Sequence, residues 1–187
     1  MIMHRKTNMK HLLFIVLLLL LQVDVVYSQR YTVKEGVVDF FSDAALEDIS
    51  AESRKIQSLF NAETGDIAFR IRISDFRFSR KLMQEHFNEK YMESEKYPYA
   101  TFSGKLLDYD AAATNEQQVT ASGKLTIHGV THEVTIPGTV RKNGEALEMN
   151  SSFMVRLEDY NITIPQLLWQ NIAEEVKVTI RLTYKKS

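Results

Sequence analysis

Histidines and carboxylates are the side chains of this 187-residue chain best suited to chemistry, and their spacing argues against catalysis. His128 and His132 stand four apart, with Glu133 beside them. On one continuous strand that separation spans about 13 Å, too far for two ligands of one ion. Across a hairpin they approach, but a third ligand is missing and Glu133 points to the other face. His86 and Glu89 have helical i, i+3 spacing, which an exposed helix of mixed charge explains equally well. Glu174 and Glu175 are adjacent, so their carboxylates point apart. There is no cysteine, which removes thiol catalysis, thiolate metal sites and disulfide exchange. No Gly-x-Ser-x-Gly elbow, His-Glu-x-x-His pair or phosphate-binding glycine loop occurs. These residues predict no enzyme, no metal site and no cofactor.

The elements that carry these residues read mainly as short strands. Val37 to Phe41 is a first strand and Ile49 to Phe60 a second extended region. Ile67, Phe69, Ile71 and Ile73 alternate with Ala68, Arg70 and Arg72, which gives one dry face and one wet face. Ser79 to Lys96 breaks the pattern: it has no Gly or Pro, and Leu82, Met83, His86, Phe87 and Tyr91 recur at helical spacing. A break near Asn88 divides it, and Tyr97-Pro98 ends it. Strands resume at Ala100 to Leu107, then Val119 to Ile127 and Thr131 to Ile136, with Gly129 permitting a tight reversal. Pro137-Gly138 predicts a bend, Asn143-Gly144 a two-residue hairpin turn, and Asp159 to Ile164 a short extended piece. Leu167-Leu168-Trp169 is an apolar knot. Val176, Val178, Ile180, Leu182 and Tyr184 alternate without error to the end. About eight strands with one helical insertion predict an antiparallel β fold, as barrel or sandwich.

Four segments carry a family resemblance. They are the hairpin Gly123-Lys124-Leu125-Thr126-Ile127-His128-Gly129-Val130-Thr131, the run from Phe76-Arg77-Phe78 to Phe87-Asn88, the stretch Glu95-Lys96-Tyr97-Pro98-Tyr99-Ala100-Thr101-Phe102, and the terminal strand after Glu174. In order and spacing they resemble the YceI-like lipid- or polyisoprenoid-binding proteins, over about Tyr31 to Tyr184. Ser79-Arg80-Lys81-Leu82-Met83 stands where the family's commonest form has an Arg-Asp pair, so the likeness is to a divergent, exported branch. The resemblance implies an all-β, eight-stranded antiparallel, lipocalin-like barrel with a short helical insertion near its opening. It also implies an apolar tunnel for a long-chain isoprenoid or fatty amphiphile, and pairing as a homodimer. Phe76, Phe78, Met83, Phe87, Tyr91, Phe102, Phe153 and Trp169 are the candidates for that tunnel or its mouth. Each also fits plain core packing. Met83 and Met92 suit a flexible ligand, because methionine deforms easily. The competing function is an interaction protein, a plugged barrel or sandwich with a tyrosine-rich surface at Tyr91, Tyr97 and Tyr99.

The ends of the chain bear on location. His4, Arg5, Lys6 and Lys10 precede an unbroken apolar run from Leu12 to Leu21, and Val26-Tyr27-Ser28 offers a cleavage site before Gln29. This is the layout of a cleaved signal peptide over 1–28. The run is too short to span a bilayer, which takes roughly 20 residues, so no stable membrane insertion is expected. The mature domain, 29–187, is then periplasmic or secreted. Three of the 23 basic residues and one of the 24 acidic residues lie in 1–28, which leaves a net charge of three negative. That is no footprint for nucleic acid.

Overall fold

A computed structural model of the chain describes residues 29–43, 48–164 and 173–187. The expected signal peptide and the Leu167-Leu168-Trp169 knot lie outside the described residues. Ten strand segments occur: β1 (Arg30–Ser42), β2 (Ile49–Ser53), β3 (Ile56–Asn61), β4 (Asp66–Arg72), β5 (Arg77–Phe78), β6 (Tyr99–Leu107), β7 (Gln117–Ile127), β8 (Val130–Asn143), β9 (Ala146–Arg156) and β10 (Glu175–Lys186). All neighbours pair antiparallel. The order β10-β9-β8-β7-β6-β4-β3-β1 closes on itself through β1 and β10. The result is an eight-stranded barrel in which every stave has a neighbour on both sides, although β9 pairs with only the second half of β8.

The two extra segments extend staves of that ring. β2 pairs with the second half of β1 in the register that β3 keeps with the first half, Val38 opposite Ser53 and Thr32 opposite Leu59. The region from Ile49 to Phe60 is therefore one stave interrupted at Arg54-Lys55, not one unbroken run. β4 likewise stops at Arg72. Ile73, expected to close that strand, begins a 3-10 turn over Ile73–Asp75, and β5 then pairs with β2.

Other expectations are corrected by long-range contacts. β1 is much longer than Val37 to Phe41, because Thr32 to Lys185 pairing carries its polar first half. β8 runs straight through Pro137-Gly138 with no register shift against β7. Proline matters instead on the other side. Pro137 has no N–H to give, its carbonyl accepts from Ser151 Oγ at 2.7 Å, and the β8–β9 ladder covers only Gly138 to Asn143. The two-residue turn after β8 is Gly144-Glu145, with Gly144 at φ +61°, one residue later than expected. Residues 159–161 are not extended, and 162–164 join no strand. Glu158–Tyr160 forms a 3-10 turn, and Asn161 ends it in the left-handed region. The helical insertion is one short α-helix, α1 (Lys81–His86), followed by a π-helical turn over Phe87–Tyr91. The break falls at Asn88, whose side-chain amide donates to the Gln84 carbonyl, while Met92 N–H reaches back five residues to Phe87.

One end of the barrel is filled. Phe60, Val140, Leu147 and Tyr184 pack there among the most buried side chains, and the Tyr109 ring meets Phe60 edge-on at 5.1 Å. Ser58 Oγ donates to the Ala68 carbonyl at 2.7 Å and lies 2.6 Å from the Tyr184 hydroxyl. Burial pushes the Tyr184 phenol up to about 12. Tyrosines in the unfolded chain titrate near 10. Between those values the unfolded state holds fewer protons at this site, so stability falls as pH rises. Stability held below pH 10 is lost towards pH 12, by about 2–3 kcal/mol. Urea unfolding across that range will show the slope, and Tyr184→Phe will flatten it at a cost of about 1 kcal/mol at neutral pH. An unchanged slope in the variant would assign the alkaline loss to other groups.

β6 and β7 approach each other closely between the two ends. Gly104 and Gly123 are directly opposed and both face inward. A Cβ at Gly123 would collide with Ser103 O and Gly104 Cα, and a Cβ at Gly104 would collide with Ser122 O.

Candidate lipid cavity

Inward alternation on the staves builds the cavity wall. Val176, Val178, Ile180, Leu182 and Tyr184 on β10 all face it, as do Val38, Phe40 and Ser42 on β1. Small residues leave the space. Ala121 on β7 sits between the filled end and the apolar cluster around Phe102, Leu125 and Val155. The cavity measures about 260 Å³, and among the described residues no Asp, Glu, Lys, Arg or His lines it. Its accessible wall is almost wholly apolar, which gives water few partners. Along β10 it extends from Tyr184 to Val176, about 26 Å of strand.

The open end is covered by rings. Phe40 is the hub: its centroid lies 5.5 Å from Phe76, 5.8 Å from Phe78 and 5.5 Å from Phe87, the last stacked. Phe78 and Phe87 are 4.9 Å apart. The π turn brings Phe87, Tyr91 and Met92 onto the cavity, Phe87 and Tyr91 being half-buried and Met92 buried. Burial raises the Tyr91 phenol above its ordinary value.

Seven of the eight residues singled out from sequence line this cavity: Phe76, Phe78, Met83, Phe87, Tyr91, Phe102 and Phe153. Trp169 lies outside the described residues. Sequence reasoning missed Phe40, although it alternates in phase with Val38. It also missed Ser42 and Ala121, whose small side chains give no periodic signal of their own. The three surface tyrosines of the competing reading do not share a face. Tyr91 lines the cavity, Tyr97 packs on the β7–β8 turn, and Tyr99 lies against two arginines, Arg70 at 4.8 Å and Arg72 at 5.5 Å from its ring. A hydrogen bond from Arg72, with its positive charge, lowers the Tyr99 phenol below the usual value.

The histidines turn out to be joinery. His128 and Gly129 form the β7–β8 turn, both with positive φ, 51° and 76°. His128 is 8% exposed; its Nδ1 donates to the Tyr160 carbonyl at 3.1 Å, and its Nε2 lies 3.1 Å from a Glu93 carboxylate oxygen. His132 Nε2 donates to the Asp159 carbonyl at 2.7 Å. Together they hold the 3-10 turn beside the stretch of β8 that β9 leaves unpaired. The Tyr97 ring stands 4.5 Å from the His128 ring and covers Gly129, where a Cβ would strike it. The Tyr-Pro and His-Gly stretches of the sequence thus meet in space, which gives their joint appearance a physical reason. Among the described residues no three metal-ligating side chains converge.

Comparison with known proteins agrees with this geometry. Among solved structures, a polyisoprenoid-binding domain from Saccharophagus degradans superposes with TM-score 0.72 at 16% identity, over 84% of this chain and 98% of that one. Burkholderia cenocepacia BcnA gives 0.67 at 22% identity, over 79% and 95%. The Campylobacter jejuni YCEI protein gives 0.55 at 14% identity, over 78% and 86%. At these identities the likeness establishes the shared fold. No curated protein matches the sequence. The YceI-like domain family model matches residues 24–184, nearly the whole chain, and the protein belongs to that family.

Proposed function

We propose that this protein is an exported, non-enzymatic lipid carrier that holds a long-chain isoprenoid or similar amphiphile in its barrel. The observation that carries the reading is the cavity: about 260 Å³, without a charged wall residue among those described, filled at one end and ringed by phenylalanines at the other. The fold it shares with a polyisoprenoid-binding domain supports the same ligand class. Burial of a hydrocarbon tail contributes about 0.8 kcal/mol per CH₂. Ten methylenes therefore supply about 8 kcal/mol before the cost of immobilisation, and no charged anchor is required. The basic leader and apolar run of the first 28 residues favour release into the periplasm or beyond the cell after cleavage.

Native mass spectrometry of protein from its own host, before and after solvent extraction, tests this. An extra mass that disappears on extraction is expected. Extracted protein, given a long-chain lipid at about a hundred times its Kd, will gain about 2.7 kcal/mol, which raises Tm by roughly 5–10 °C for a domain of this size. A bare chain mass, with no thermal shift from any long-chain isoprenoid or acyl lipid, would sink the proposal.

A further inference from the structure

Ser42 is a deeply buried polar residue on the cavity wall. It ends β1, is 1% exposed, and lies two residues beyond Phe40 on the inward face. Its Oγ accepts the N–H of Ala173 at 3.0 Å. A hydroxyl that accepts still has a proton to donate, and among the described residues no acceptor takes it. Among the described residues the wall beside it is hydrocarbon: Phe40 two residues back and Ile49 across the β1–β2 pair. An unused donor in such surroundings is strongly disposed to meet an oxygen brought in from outside.

We propose that Ser42 is the head-group anchor of the cavity: its hydroxyl donates to an uncharged oxygen on the polar end of the cargo, a carbonyl, ether or alcohol, while the tail runs inward towards Tyr184. This rests on the lipid-carrier reading and narrows it to a class of head group. A carboxylate or phosphate drawn to the same depth finds no counter-charge among the described residues of the wall, none of which is charged, and an unpaired buried charge is strongly disfavoured. Ser42 thus selects neutral, oxygen-bearing heads over both bare hydrocarbons and anions.

The test uses solvent-extracted full protein and three probes of equal chain length: hexadecane, methyl palmitate and palmitate. In the wild type the ester is expected to bind about five- to tenfold tighter than the alkane, the effect of one hydrogen bond, and tighter than the anion. Ser42→Ala should remove the ester's advantage, so that ester and alkane bind this variant equally. Ser42→Cys, which keeps a side chain there that donates and accepts only weakly, should show most of the same loss, with a melting curve lowered a little by the weakened Ala173 N–H bond. Equal binding of ester and alkane in the wild type overturns the anchor, as does an ester advantage that survives in Ser42→Ala. In both cases lipid binding itself stands. Failure of all three probes to bind overturns the carrier reading and the anchor together, so the two failures are distinguishable.

Discussion

Ala121→Trp will abolish uptake of long-chain lipid and leave the barrel folded. Ala121 lies halfway along the cavity, paired with Leu106 on one side and Ile136 on the other, and packs against the clusters at both ends. Its methyl group takes up little of the cavity, so an indole has about 260 Å³ to enter. Overpacking a filled core costs roughly 1–3 kcal/mol; here the ring enters space that is already empty, and the loss should be smaller. The ring then occupies what the inner half of a tail needs. Losing five buried methylenes removes about 4 kcal/mol, or about a thousandfold in Kd. Titration with a lipophilic, environment-sensitive dye, followed by displacement with a long-chain lipid, measures this. Leu59→Ala, on the outer wall where Leu59 is 58% exposed, is the matched control and should bind as wild type. Undiminished uptake by a folded Ala121→Trp protein would show that the tail lies elsewhere.

Gly123→Val will cost the barrel most or all of its stability. The penalty has nothing to do with the hairpin turn, since Gly123 sits inside β7 and not at the reversal. It arises because the opposed pair Gly104 and Gly123 lets two backbones come closer than any side chain permits. The atoms a Cβ would strike are mainly carbonyl oxygen and Cα, which cannot swing aside as a long side chain can. Phe102 extends its ring tip to within 2.9 Å of a Cβ at Gly104, so the same approach also positions a cavity-lining ring. A loss of at least about 3 kcal/mol is expected, or a Tm lower by roughly 10 °C, against a total stability of about 5–15 kcal/mol for a natural domain. Thermal melting followed by circular dichroism reads it. Gly144→Ala sets the scale for a glycine with open space around it, since nothing lies within 4 Å of a Cβ there, although its positive φ still costs something. A Gly123→Val protein that melts no lower than Gly144→Ala would refute the close-approach argument.

The sequence is readable where one stave buries one face. β10 alternates without error because its inner side is wet nowhere between Val176 and Tyr184, and β7 and the start of β8 read as well for the same reason. Legibility fails where a distant partner decides the conformation. The first half of β1 carries Thr32, Lys34 and Glu35, which announce no strand; β10 and β3 on either side impose it. Residues 157–162 follow carbonyl bonds to His128 and His132, set some thirty positions earlier. The cavity divides along similar lines. Its large rings stand out by residue type, so Phe76, Phe78, Phe87 and Phe102 could be named in advance. Its empty middle is made by Ala121, and its polar contact by Ser42, and small residues in a strand leave no mark on periodicity. The histidine pair is the reverse case. Residue type suggested chemistry, and three dimensions reveal a fastening between the hairpin, Glu93 and the turn after β9.

The Tyr184–Ser58 bond and the packing around Phe60 and Leu147 also govern how cargo is exchanged. They make the barrel a cul-de-sac. A lipid lodged there leaves tail last through the doorway it entered, and a newcomer cannot push it out from behind. Exchange then proceeds at the resident's own pace of departure, whatever the supply of replacements. On the carrier reading, a protein built this way is a ferry, emptied before it is refilled, and not a pipe between two membranes.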